Sequence, residues 1–119
     1  MQEERKEKFN VFEKQDEIIN KRIAKIELQL KINGENKTFV CAEFKGILFK
    51  KTLRAIKIFE NFTTEITDEG IEELVDYMVE VFDNQFTKEE FYNGIEVSDM
   101  FKKMQETAEI IVDLAKSKI

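Results

Sequence analysis

Residues 25–32, KIELQLKI, alternate without a break: Ile26, Leu28, Leu30 and Ile32 fall on one side, and Lys25, Glu27, Gln29 and Lys31 on the other. A period of two specifies a strand with one face against a core and the other in water. Asn33-Gly34 follows, and both residues tolerate the positive φ of a tight hairpin turn. Whether the loop holds two residues or four, parity puts Phe39 and Cys41 of the returning strand, KTFVC, on the leucine face. Cys41 is therefore a core residue in this reading, since the chain has no histidine to activate a thiol.

Beyond Gly46 the period changes. Leu48, Phe49, Leu53, Ile56, Phe59 and Phe62 fit one face of a helix over about 47–62, with Lys50, Lys51, Arg54 and Lys57 along the remaining surface. TTEITDEG breaks the pattern, and Thr67 is a candidate N-cap with Asp68 and Glu69 in the first turn, where the helix dipole favours negative charge. A second helix then runs through Ile71, Leu74, Val75, Met78 and Val79, and the spacing carries it on to Phe82 and Phe86. Thr87-Lys88-Glu89-Glu90 has the form of a capping box, so a short helical turn starts there, and Asn93-Gly94 is expected to end it in a left-handed conformation. Phe91 and Ile95 can fold back on the Phe82/Phe86 pair. The last helix, about 97–116, places Val97, Met100, Phe101, Met104, Ala108, Ile111, Val112 and Ala115 at three-four spacing. The methionines fill a core or, since methionine repacks easily, line an adaptable groove.

The fold class that results is mainly α with an N-terminal β-hairpin (α+β): a hairpin, three main helices and a short helical corner. Residues 25–119 form this domain. Residues 1–24 form an amphipathic or partly disordered extension in which Phe9, Phe12, Ile19 and Ile23 recur at helical spacing.

Charge divides along the chain. Residues 1–59 hold 14 Lys and Arg against 9 Asp and Glu, a net +5; residues 60–119 hold 5 against 16, a net −11. Such a division can bring the basic half of one copy to the acidic half of the next. Most familiar site chemistry has no carrier here. Without histidine the usual general base, metal ligand and pH switch are missing. No carboxylates have calcium-loop spacing, a single cysteine forms no zinc site, and the four glycines are too scattered for a phosphate loop. No cofactor, no nucleic acid and no membrane partner is expected, and the start, MQEERKEK, lacks the apolar core of a signal peptide.

Three stretches taken in order, TFVCAEF, LFKKTLRAI and LVDYMVEVFDNQFTKEEFYNGI, resemble the tail assembly chaperones of long-tailed bacteriophages, especially the type in phages and prophages of low-GC Gram-positive hosts. The resemblance covers about residues 25–116. It implies a protein that is not an enzyme and that works in the cytoplasm of the bacterial host. There it would bind and solubilise the tape measure protein during tail morphogenesis, as a homo-oligomer absent from the mature virion. A frameshifted longer form of such proteins is thought to recruit the tail tube protein. Phe39, Phe44, Leu53, Phe82, Phe86, Thr87 and Gly94 match the family pattern as structural positions, and Lys50, Lys51 and Arg54 are the candidates for partner contact. The alternative is a small acidic cytoplasmic interaction protein, antitoxin- or inhibitor-like, whose mark would be a disordered acidic segment.

Overall fold

The computed structural model describes residues 25–117, so the expectation for residues 1–24 lies outside the described residues. Strands β1 (Ile26–Ile32) and β2 (Glu35–Cys41) form an antiparallel hairpin with Ile32 opposite Glu35, Leu28 opposite Phe39 and Ile26 opposite Cys41. The loop holds two residues, Asn33 at φ 55° and Gly34 at φ 81°, the left-handed pair that this turn requires. Phe39 and Cys41 share the leucine face as parity predicts. Lys37 and Glu35 continue that face and are exposed, so the tip of the hairpin extends past the core.

Four helices follow: α1 (Gly46–Asn61), α2 (Asp68–Val81), α3 (Lys88–Gly94) and α4 (Val97–Lys116). Helix α1 lies between α2 and α4, and the short α3 lies against β1. One cluster joins the layers: Ile26, Leu28 and Leu30 from β1, Leu48 and Ile58 from α1, Leu74 and Met78 from α2, Phe91 from α3, and Met104 and Ile111 from α4. Helix α2 starts as expected, with the Thr67 hydroxyl accepting from Gly70 N at 3.0 Å and Asp68 and Glu69 in the first turn. The capping box at α3 is complete: Glu90 N donates to Thr87 Oγ1 and Thr87 N to Glu90 Oε1, both at 3.0 Å.

The structure corrects four sequence expectations. Helix α2 stops at Val81, and Phe86 is not one helical turn beyond Phe82. Asp83 and Asn84 turn left-handed, at φ 55° and 60°, while Asn84 N donates to Val79 O and Asp83 N to Glu80 O. These are the two bonds of a Schellman motif, which reverses the chain and brings the Phe86 ring to 5.5 Å from Phe82. Asn93 and Gly94, in contrast, do not turn left-handed; Gly94 is the last residue of α3 and Ile95 follows extended. Leu53 is 49% exposed, because α1 buries Leu48, Thr52, Ala55 and Ile58 instead of the line through Leu53. The small Thr52 and Ala55 let neighbouring helices approach closely, which a count of large apolar residues does not register. Val97 is 88% exposed at the start of α4.

Gly94 is a glycine for steric reasons. A Cβ there would lie 2.9 Å from Lys31 O and 3.0 Å from Leu30 Cβ, so α3 touches the β1 backbone at this point. Backbone on one side and a buried leucine on the other give little room to adjust. Gly94→Ala is expected to destabilise the domain by about 1–3 kcal/mol in chemical denaturation. Gly46→Ala, where a Cβ meets nothing within 4 Å, should be neutral or stabilising by up to about 1 kcal/mol. An equal loss at both positions would refute the steric account.

Candidate partner-binding surface

The basic residues picked out by sequence sit on one helix but not in one environment. Lys51 Nζ is 2.8 Å from Glu80 Oε2, and Arg54 Nη2 is 2.9 Å and 3.2 Å from the two carboxylate oxygens of Glu73. Both acids belong to α2, so part of the charge division read along the chain is closed within one copy. Lys50 and Lys57 are exposed and have no ion-pair partner among the described residues. Together with Leu53 they form a basic strip along the outer side of α1, with an apolar residue at its centre.

The signature positions are mostly carpentry. Phe82 and Phe86 are buried, Phe39 and Phe44 are half-buried against the core, and the Phe39 ring meets Phe86 edge-on at 5.1 Å. Phe86 and Phe91 stack at 6.0 Å. Of these positions, Leu53 and Thr87 are exposed, and Thr87 is taken up in the capping box of α3. Among the methionines, Met104 is fully buried and Met100 packs half-buried on the core.

Two polar constellations escaped the sequence reading. In the first, Thr52 Oγ1 donates to Leu48 O at 2.7 Å and lies 2.6 Å from the Tyr77 hydroxyl, all buried between α1 and α2. The one threonine proton is committed to Leu48 O, so Tyr77 must donate to Thr52. Burial pushes the Tyr77 phenol up to about 12. The hint in the sequence was a threonine in the middle of a helix, a place where it bonds back one turn. In the second, Lys88 at the start of α3 bridges Glu72 and Asp76 of α2, at 2.6 Å and 3.2 Å, and the Tyr92 hydroxyl donates to Glu72 at 3.0 Å. The hydrogen bond from Lys88, then that from Tyr92, holds the Glu72 carboxyl below its ordinary 4.5. The same contact with Glu72, then Asp76, raises Lys88 above 10.5. Desolvation, followed by Glu72, moves Tyr92 up to about 12. No sequence spacing relates these groups, because they meet only after the reversal at Asp83-Asn84.

Among the described residues no group of three or more acids or cysteines is placed to hold a metal ion, and no helix is long and apolar enough to cross a membrane. Burial pushes the Cys41 thiol up. The chemistry the surface offers is that of binding: exposed cations around an apolar centre. A family model described as phage tail chaperone protein matches residues 23–118. No curated protein and no solved structure matches the chain.

Thr52→Val strands the buried Tyr77 hydroxyl and should cost about 1–3 kcal/mol, whereas Tyr77→Phe leaves Thr52 bonded to Leu48 and should cost about 0.5–1.5 kcal/mol. The reverse order in urea titrations would show that the Thr52 proton is not committed to Leu48 O. For Lys88→Met the sign follows from the two shifts. Glu72, lowered when folded, contributes stability that is lost as pH falls below 4.5. Lys88, raised when folded, contributes stability that is lost as pH climbs above 10.5. The stability gap between wild type and Lys88→Met should therefore be widest near neutrality and close toward both extremes; a gap independent of pH would mean that the lysine contributes only packing.

Proposed function

The chain belongs to the phage tail chaperone protein family, and on that premise we propose that it binds and solubilises the tape measure protein during tail morphogenesis. It does so as a homo-oligomer in the cytoplasm of the bacterial host, without catalysis, and leaves before the virion is complete. A longer, frameshifted form would extend this role to the tail tube protein. The observation that carries the reading is the outer strip of α1, where Lys50, Leu53 and Lys57 stand in solvent with no described partner for either charge. A long amphipathic helix with acidic residues beside an apolar stripe fits such a strip. Lys51 and Arg54 flank it in exposed ion pairs, which contribute little to stability and so can be exchanged for a partner's carboxylates at little cost.

The antitoxin-like alternative loses its main feature. The acids of α2, α3 and α4 lie on regular helices, and the inner faces of those helices build the core. For association between copies, the acids of α4 supply counter-charge that no described cation of α1 takes up: Glu109 and Asp113 are exposed and have no ion-pair partner among the described residues.

Co-expression with the tape measure protein of the same tail should render that protein soluble and co-purify the two. If the long protein stays insoluble and nothing co-purifies, the chaperone role fails. Lys50→Glu with Lys57→Glu breaks no ion pair or side-chain hydrogen bond among the described residues, so the fold should persist while recovery of the complex drops by about tenfold, the equivalent of ~1.4 kcal/mol. Sedimentation at about 0.05 M and 0.5 M salt checks the contact between copies, since an electrostatic assembly must shrink as the screening length falls.

A further inference from the structure

A cleft of about 450 Å³ opens between the end of β2 and the reversal after α2. Val40 and Ile47 line it and are 38% and 54% exposed. Its rim is mostly acidic, with Glu43, Glu80 and Asp83 against the single cation Lys45. Glu80 is taken by Lys51, whereas Glu43 and Asp83 have no ion-pair partner among the described residues. The outer strip of α1 carries the converse chemistry. Leu53 is exposed between Lys50 and Lys57, whose charges are likewise without an ion pair among the described residues. The apolar floor of the cleft matches the apolar centre of the strip, and the acidic rim matches the flanking cations.

One molecule cannot bring the two together, because both are carried by the same rigid helix. Leu53 lies six residues beyond Ile47, ~9 Å along the axis of α1 and about a third of a turn around it. A second copy can. With α1 of two copies antiparallel, Glu43 and Ile47 of one meet Lys57 and Leu53 of the other in matching order. Lys50 then falls between them, near the axis, with Asp83 of the second copy as its counter-charge. The relation is reciprocal, so strip meets cleft twice about one twofold axis and the contact closes. We propose that, without a client, the chain forms this twofold dimer, the α1 strip of each copy seated in the cleft of the other. Val40, Ile47 and Leu53, three of the five large apolar side chains exposed among the described residues, are covered in both copies by this one contact. The dimer hides the strip on which the chaperone reading places the tape measure protein. The competition between the two rests on that reading, but the dimer itself needs no client. Growth beyond two copies through the acids of α4 likewise requires the dimer to open.

Sedimentation equilibrium of the full-length protein alone, at low salt and over a wide range of concentration, should give a mass that levels off at two chains. A monomer throughout, or a mass that keeps rising as in an open chain of copies, would overturn the proposal. Two double variants locate the contact. Lys50→Glu with Lys57→Glu reverses the strip, and Glu43→Lys with Asp83→Asn reverses the cleft, keeping at the left-handed position 83 a residue that enters that region readily. Each should raise the dissociation constant of the dimer by about tenfold or more. Mixed in equal amounts, the two should pair with each other, since one reversed strip then faces one reversed cleft and the second contact is native. Variants that stay dimeric alone, or that fail to pair when mixed, would overturn the assignment. Absence of the dimer while co-expression still solubilises the tape measure protein would sink this inference and leave the chaperone reading standing; a dimer beside an insoluble client would do the reverse.

Discussion

The contact on which the rest depends is the cluster of Phe82, Phe86 and Phe91, closed by the left-handed reversal at Asp83-Asn84. These three rings are buried and come from the end of α2, the loop after it and α3, so they link one element to the next. Phe39 meets Phe86 from β2, tying the hairpin to the same point. Burying a phenylalanine is worth about 1.5–3 kcal/mol, so three represent about 5–9 kcal/mol, comparable to the net stability of a whole domain at about 5–15 kcal/mol. A two-stranded hairpin is marginal by itself and needs such a platform.

Electrostatics orients what the rings hold. Helix α2 is acidic on its solvent side and is met from two directions, by Lys51 and Arg54 of α1 and by Lys88 of α3. The pairs are exposed and individually weak; their effect is to favour one rotation of α2 over others, while the buried Thr52–Tyr77 bond fixes its height against α1. Part of the positive charge of the first half of the chain is thus spent inside the molecule. The exposed cations without an ion pair among the described residues of that half include Lys50 and Lys57, on either side of Leu53, along with Lys31, Lys37 and Lys45.

This arrangement suits a binding protein. Its core is built from the inner faces of hairpin and helices, whereas exposed apolar groups beside charge occur at Leu53 on the α1 strip and at Val40 and Ile47 in the cleft. Neither has the enclosed, convergent acid–base geometry of an active site. Membership of the tail chaperone family supplies the biological setting, and the surface supplies chemistry consistent with it.

Sequence alone determined what depends on neighbours along the chain. The period-two run and Asn-Gly specified the hairpin and the shared face of Phe39 and Cys41, with a loop of two or four residues left to the structure; Thr67 and the Thr87/Glu90 box specified two helix starts; the quoted motifs pointed to the family. Local sterics and short-range hydrogen bonds suffice for these. The end of α2 was legible in principle, since aspartate and asparagine are among the few residues that enter the left-handed region, but helical spacing through Phe86 obscured it. Only the tertiary structure decided which side of α1 is buried, why residue 94 must be glycine, and how Lys88, Glu72 and Tyr92 meet. Each of these depends on two elements distant in sequence coming within a few ångströms, and a one-dimensional pattern carries no term for the distance between them.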